Sequence, residues 1–382
     1  MTEQHDVVVI GAGLVGLSVA YHLAKRGIRD VVVLEREAAH AQGSSGRSAG
    51  GVRLEFSHPS SVRFSQYGLH VLEHFEDEFG ISPQFRACGY LFVTSDPSQW
   101  VALQESAVMQ RDLGVAVETL AAADIRGSFA YINLPDLVGG IYGPRDGVGD
   151  PASVAYGYIR RARQLGVEVR FHVNVEGITA SAGRVTGVRT ASGLISTSTV
   201  VNAAGPQARA IGQMAGVDIP VHPYRRSIYV TGPFDGLPEN LPMTLNLDNT
   251  SYIRREGRSI LLGMSDPDEP SSELVETDPA ALEKIIATIL PWIPSLEHAT
   301  IMRGWAGLYE ISPDQSAIIG PTDDLAGFYC ANGFSGHGFM HAPATGRVIA
   351  ELIAGEPPFV DITPFYLSRF AHQQTARENL VI

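Results

Sequence analysis

The stretch that most constrains this chain runs from Asp6-Val7-Val8-Val9-Ile10 through Gly11-Ala12-Gly13-Leu14-Val15-Gly16 to Val31-Val32-Val33-Leu34-Glu35. Four consecutive apolar β-formers predict a strand buried on both faces, as in a parallel sheet. Leu14, Leu17, Ala20, Tyr21 and Ala24 then recur at helical spacing until Gly27 stops the helix. Each glycine has a separate mechanical job: Gly11 permits the tight turn, Gly13 lets backbone approach a pyrophosphate, and Gly16 lets the helix sit close against the strand. The phosphates then lie over the helix N-terminus. Glu35 ends the second strand 19 residues after Gly16, where a carboxylate accepts hydrogen bonds from a ribose diol and disfavours a 2′-phosphate. A glycine motif alone is weak evidence, but here strand, turn, helix, second strand and acid fall in register. Leu14, Val15 and Arg36 are counted with the glycines and Glu35 as dinucleotide-binding residues.

At 382 residues the chain exceeds the size one core usually serves, so two domains or one interrupted domain is expected. The formal net charge of −13 argues against nucleic acid or an anionic membrane as the main partner, because both reward basic patches. Cys88 and Cys330 are the only cysteines and lie far apart, so neither a disulfide framework nor a C-x-x-C zinc site can be built, and no metal is expected. A cytoplasmic, reduced location fits that usage. Met1 to Asp6 lead straight into the first strand without a signal-peptide pattern, and no run of about 18 apolar residues predicts a membrane span.

After Glu35 comes Ala41-Gln42-Gly43-Ser44-Ser45-Gly46-Arg47-Ser48-Ala49-Gly50-Gly51-Val52-Arg53. Small residues there expose backbone N–H groups to an anion or a flat ring, and the arginines add fixed positive charge. An amphipathic helix is expected over 60–79, a strand over 89–94 and a helix over 99–113. These elements and Gly140-Ile141-Tyr142-Gly143 leave the βαβ rhythm for an antiparallel pattern, as if a second domain were inserted. Asp150-Pro151 should cap a helix over 152–165. A strand over 167–173, a hairpin through Ser181-Ala182-Gly183-Arg184 and a strand over 199–206 return to the first style. Antiparallel strands are then expected over 221–231 and 251–264, a helix over 278–290 and a strand over 300–309. The strand Gly327 to Asn332, the loop Gly333-Phe334-Ser335-Gly336-His337-Gly338 and a helix to about Ala354 make a second strand, glycine-loop, helix unit.

These motifs resemble the FAD-dependent amine and amino-acid oxidoreductases of the D-amino-acid oxidase superfamily, in the pattern of the sarcosine oxidase β-subunit and L-proline dehydrogenase β-subunit group. The resemblance covers nearly the whole chain. It is carried by the N-terminal glycine motif with Glu35, by Val200-Val201-Asn202-Ala203-Ala204-Gly205-Pro206, by Gly304-Trp305-Ala306-Gly307-Leu308-Tyr309-Glu310-Ile311-Ser312-Pro313-Asp314, and by the closing glycine loop. It implies an α/β fold in which a Rossmann-like FAD-binding domain (1–85, 145–220, 305–382) is interrupted by an antiparallel-sheet substrate domain (86–144, 221–304). It also implies FAD contacts at Ser44, Ser45, Arg47, Ser48, Ala49, Val175, Ala204, Gly205, Gly307, Gly333, Ser335, Gly336, His337 and Gly338. The closing loop supports a flavin on physical grounds, since a helix N-terminus near Gly338 stabilises negative charge at flavin N1 and the C2 carbonyl.

The departures from the family are informative. Relatives that tether the ring covalently use a cysteine where this chain has Gly307, so FAD is expected to be non-covalent. Relatives that react fast with oxygen place a lysine near the ring, at positions matching Met264 and Met340, so an external acceptor other than oxygen is expected. Glycine and D-amino-acid oxidases hold the carboxylate with an arginine where this chain has Tyr309.

The implied activity is oxidation of a C–N bond in a small secondary, N-methylated or cyclic amino acid to the imine, with hydride passing to flavin N5. The protein then has to orient the substrate and exclude water rather than supply a nucleophile or metal. Arg53, Tyr252, Tyr309 and His337 are the candidate orienters, each with a bland reading as an ion-pair or core residue. An NAD(P)H-linked flavoprotein would need a second dinucleotide motif or a redox cysteine pair, and the sequence has neither. The alternatives kept open are a D-amino-acid or glycine oxidase-type enzyme and a flavoprotein subunit of a hetero-oligomeric amino-acid dehydrogenase.

Overall fold

The computed structural model describes residues 3–373, 375, 377, 378 and 380. The strand Val7–Ile10 sits in the middle of a six-stranded sheet, between Val31–Leu34 on one side and Val200–Asn202 on the other. Glu168–Arg170 and Phe328–Asn332 extend it in parallel, and Ile318–Pro321 closes one edge in the antiparallel sense. Every residue of Val7–Ile10 and Val31–Leu34 is buried, as strands covered on both faces require. Helices cover this sheet, and two of them matter for the site: Leu14–Lys25, which follows the first glycines, and Gly338–Ile353, which follows the last. They touch at Gly346, where a Cβ would lie 2.5 Å from the carbonyl carbon of Ser18.

An eight-stranded sheet stands beside the first, in the order Ile301–Ile311, His222–Thr231, Ser259–Met264, Ser251–Glu256, Met243–Asn246, Tyr90–Thr94, Gly139–Gly143, Glu118–Ala121. All its pairings are antiparallel except that of Met243–Asn246 with Tyr90–Thr94. One face carries Ile228, Tyr252 and Leu261 toward the main core, while the other carries Tyr229, Ile253, Leu262 and Met264 into a separate apolar cluster around Trp292. A four-stranded sheet holds the hairpin Val175–Ser181 and Arg184–Thr190. The mixed α/β architecture expected from the sequence is thus present.

Local chemistry explains the starts of several helices. Asp150 caps Pro151–Gln164 by accepting from Ala152 N at 3.2 Å and Ser153 N at 3.1 Å, and Asp278 caps Pro279–Ile289 through Ala280 N. Three expectations need correction. The strand over 199–206 is only Val200–Asn202, because Gly205 takes a positive φ of 57° and opens a short 3-10 turn, Gly205–Gln207. The helix over 60–79 is two helices, Pro59–Glu73 and Phe75–Phe79, parted at His74, whose φ of −113° lies outside the helical range. The strand over 167–173 ends at Arg170; His172 takes a positive φ of 57°, and the chain turns there to enter the four-stranded sheet at Val175. No helix among the described residues is long and apolar enough to cross a membrane.

Candidate active site

The cleft begins at the carboxyl ends of the parallel strands, where Ile10, Leu34, Ala203 and Ala331 form its floor, the usual place for a ligand in such a sheet. Gly11 turns there with φ 105°, and Ala203 O occupies the space of a Cβ at 2.4 Å. Gly16 has Gly11 O only 2.0 Å from its Cβ position, so any side chain would force the helix off the strand. The helix Leu14–Lys25 has no side-chain cap of its own; Leu14 N donates to Ser45 Oγ at 3.0 Å, and Val15 and Gly16 N–H have no partner among the described residues. Those free donors suit an anion. The carboxylate of Glu35 is fixed at the end of its strand by accepting from Ala12 N at 2.7 Å and Glu37 N at 3.0 Å.

From here the cleft runs in two lobes that share Val15, Ser44, Ser45 and Glu310. Of the residues expected from the sequence, Gly11, Gly13, Glu35, Arg36, Val175, Ala204 and Gly205 line the first lobe. Leu14, Arg47, Ser48, Ala49, Gly307, Gly336, His337 and Gly338 line the second, together with Arg53, Tyr252 and Tyr309. Gly16, Gly333 and Ser335 line neither lobe. Gly333 faces Val221 and Ile318, and Ser335 is fully buried with its Oγ accepting from Ser312 N and donating to Gly333 O, so both shape the loop from behind.

The glycine- and serine-rich loop is laced to the strand Ile301–Ile311. Ser44 Oγ donates to Leu308 O at 2.7 Å, Arg47 Nη1 to Ala306 O at 3.0 Å, and Trp305 Nε1 to Arg47 O at 3.0 Å. Gly307 therefore sits under Arg47, whose Cβ is 3.0 Å from the glycine's Cβ position. Gly336, at φ 99°, leaves room for the ring of Tyr309, which passes 2.5 Å from its Cβ position. The helix Gly338–Ile353 opens with no side-chain cap, and the N–H groups of Gly338, Phe339 and Met340, all on residues that line the second lobe, have no partner among the described residues.

Arg53 is almost wholly buried, with its guanidinium 4.0 Å from the ring centre of Phe56. Its Nη1 donates to Glu55 O, and its Nη2 to Leu380 O and to His337 Nε2 at 3.1 Å. His337 is consequently an acceptor at Nε2, and burial, reinforced by the positive charge of Arg53, holds its pKa well below the ordinary value. Beneath Arg53, burial and the neighbouring carboxyl of Glu55 raise Asp146 well above the carboxylate range. Burial likewise raises the Tyr252 and Tyr309 hydroxyls, which stay neutral.

Three features of the cleft were not expected from the sequence. Glu310 lines both lobes; burial pushes its carboxyl up to about 7 against the pull of the Gly333 and Phe334 amides, and its Oε2 is buried without a partner among the described residues. An orphaned acceptor midway along a two-lobed cleft fits a hydroxylated linker such as the ribityl chain of FAD. Arg226 and Tyr90 line the second lobe, and the signal for Arg226 was the doublet Arg225-Arg226 within the strand His222–Thr231. Met264 is the fourth correction. It points into the Trp292 cluster on the far face of the sheet, while the adjacent Gly263 lies under Tyr252, so only Met340 of the two methionines lines the cleft. Side chains alternate along a strand, and one residue decides the face.

Known proteins resemble this chain in sequence and fold. Residues 6–352 match the family described as FAD dependent oxidoreductase. FAD-dependent oxidoreductase domain-containing protein 1 of Xenopus laevis is 30% identical over 429 residues, spanning 100% of this chain and 85% of that protein. Mitochondrial dimethylglycine dehydrogenase of Rattus norvegicus is 28% identical over an alignment of 384 positions that spans 94% of this chain but 44% of the relative. Among solved structures, L-proline dehydrogenase from P. horikoshii superposes with a TM-score of 0.89 at 28% identity, covering 98% of this chain and 100% of that one. Glycine oxidase from Geobacillus kaustophilus, at 21% identity and a TM-score of 0.84, shares the fold over 96% of this chain and 99% of its own.

Proposed function

The chain belongs to the FAD dependent oxidoreductase family, and from that premise we propose that it oxidises a C–N bond of a small secondary, N-methylated or cyclic amino acid to the imine. One observation carries the reading: the two-lobed cleft, with an anion-suited helix end and a ribose-suited Glu35 in the first lobe, ends in a cavity lined by Arg53, Arg226, Tyr90, Tyr252 and Tyr309. FAD, when bound, takes up the hydride and thus the two electrons. The free donor at Val15, at the open end of the helix Leu14–Lys25, would hold its pyrophosphate, Glu35 the adenosine ribose, Glu310 the ribityl hydroxyls, and the N–H groups opening Gly338–Ile353 the negative pole of the reduced ring.

The remaining work falls to side chains. Arg53 pairs with the substrate carboxylate through the N–H donors that Glu55, Leu380 and His337 leave free, and a charge-assisted contact on so firmly held a guanidinium fixes which hydrogen of the α-carbon is presented. His337 is a positioning residue: as a neutral acceptor it holds the Arg53 guanidinium in place. Tyr252 and Tyr309 donate neutral hydrogen bonds and keep water out of the cavity. The strands of the six-stranded sheet come from 7–34, 168–202 and 318–332 and those of the eight-stranded sheet from 90–143 and 222–311. That membership supports assigning 1–85 and 145–220 to FAD and 86–144 and 221–304 to substrate, while the strand Ile301–Ile311 runs across the boundary expected at 305 and keeps 305–311 with the substrate-side sheet.

The test is a dye-linked screen of the FAD-loaded protein with proline, hydroxyproline, sarcosine, dimethylglycine and D-amino acids. Reduction by a secondary or N-methylated amino acid is expected. Reduction only by primary D-amino acids would move the protein to the oxidase type, and reduction by none would sink the reading.

A further inference from the structure

The two arginines at the substrate end of the cleft are furnished differently. Arg53 has its Nη2 engaged by His337 and Leu380, and the carboxylates of Glu378, Glu55 and Asp146 act on its charge. Arg226 donates from Nε to Ser265 Oγ at 3.0 Å and from Nη1 to Arg225 O at 2.9 Å. Its Nη2 has no partner and it makes no ion pair among the described residues, although burial lowers its pKa. The acids nearest in its field are already paired: Glu269 with Arg225 at 2.9 Å and Asp266 with Lys284 at 2.6 Å. Glu310, the carboxyl lining the cleft, is not among the groups acting on Arg226. A guanidinium half withdrawn from water without a counter-charge is costly, and it is kept where an anion arrives to meet it.

The strand register says where that anion would lie. Arg226 stands directly opposite Gly307, and its guanidinium is 5.4 Å from the ring of Tyr309, whose hydroxyl feels the charge of both Arg226 and Arg53. Tyr309 therefore stands between two cationic ends of one cavity. Guanidinium has five N–H donors, so the free Nη2 and the second N–H of Nη1 together form an open fork of the shape that takes a carboxylate bidentately.

We propose that Arg226 binds a second anionic group of the substrate, so that the preferred substrate is a secondary or N-methylated amino acid bearing a carboxylate besides the α-carboxylate, of the iminodicarboxylate type. The proposal rests on the amino-acid reading above, in which Arg53 takes the α-carboxylate. Arg226 is then the specificity-determining residue for the far end of the substrate, and glycine at 307 keeps the neighbouring position clear.

Two ligands that cannot be oxidised at a C–N bond test it: methoxyacetate, with one carboxylate, and oxydiacetate, with two. Each is titrated into the FAD-loaded protein and followed by perturbation of the oxidised flavin spectrum. Oxydiacetate should bind at least about tenfold more tightly. Arg226→Gln should erase that preference while leaving methoxyacetate affinity within about threefold, and Arg226→Lys should restore part of it. Equal affinity for the two ligands in the native protein overturns the proposal without any variant. Equal weakening of both ligands in Arg226→Gln also overturns it, since Arg226 would then hold the α-carboxylate. So does a retained preference with a changed flavin reduction potential, since the charge would then serve the cofactor. If neither ligand perturbs the flavin, the amino-acid reading itself fails.

Discussion

Arg53 is the residue on which the proposed orientation of substrate turns, and its surroundings set what its loss should do. With a desolvated carboxylate as partner, Arg53→Ala should cost about 2–5 kcal/mol, a fall in kcat/KM of roughly 30- to several-thousand-fold. Arg53→Lys should recover only part, because an ammonium has three donors and cannot keep the contacts to Glu55, Leu380 and His337 while meeting the carboxylate. The variant also strands Leu380 O and unpacks Phe56, so FAD content and unfolding midpoint have to be measured beside the kinetics. Near-normal efficiency in an FAD-loaded Arg53→Ala protein would make Arg53 structural. Residues of this kind differ in how far a sequence exposes them. Gly11 and Gly16 were legible because their demand is local: a tight turn and a close approach five residues apart leave little choice of side chain. Glu310 was not, because its value lies in burial at the joint of two lobes, and only tertiary packing creates that. Arg226 and Met264 show the same limit on strands, where composition marks a strand but one step of register decides which face meets the cleft.

At the scale of elements, the site depends on two helix N-termini being held in register, and the contact of Gly346 with Ser18 does that. A Cβ at 346 would approach Ser18 O at 2.7 Å and its carbonyl carbon at 2.5 Å. Backbone cannot rotate away as a side chain can, so Gly346→Ala must push the helices apart. A loss of about 1–3 kcal/mol is expected, read as a lower urea midpoint, together with weaker FAD binding; unchanged values for both would show that the helices slide freely. The same pair of helices carries buried histidines. Burial holds His22 and His341 each down to about 3, whereas an unfolded histidine titrates near 6.5. Below about pH 6.5 the unfolded chain therefore binds protons that the folded one does not, and stability present above that pH is lost as it falls. Each histidine contributes about 1.4 kcal/mol per pH unit in that window. Asp146 and Glu310, whose pKa values are raised, act with the opposite sign, so the total is a poor test and a difference is a good one. His22→Gln should flatten the pH dependence of urea unfolding between pH 6 and 4 by about 1.4 kcal/mol per unit, at fixed excess FAD. An unchanged slope would mean that His22 is protonated in the fold.

For the whole molecule, the cleft is assembled from both ends of the chain and from its middle: the first lobe from 10–45, 173–175, 203–214, Glu310 and Ala331, the second from Leu14, Val15, 44–53, Tyr90, 226–252 and 307–340. A ligand that bridges such distant segments stabilises the fold as a unit, by about 2.7 kcal/mol when free FAD is at 100 times its dissociation constant. The attachment should be purely non-covalent. Cys88 and Cys330 do not line the cleft, and at the position where tethered relatives have a cysteine this chain has Gly307 with Arg47 packed across it. Two measurements follow from one cause. Acid precipitation should leave a white pellet and a yellow supernatant, and the melting temperature should rise by several degrees as FAD is added back to depleted protein. A pellet that stays yellow would demand a covalent link through some other side chain of the second lobe, with His337 the first to inspect. Release of the colour without any shift in melting temperature would instead mean that the distant segments meet without the cofactor's help, and that the cleft is rigid before FAD arrives.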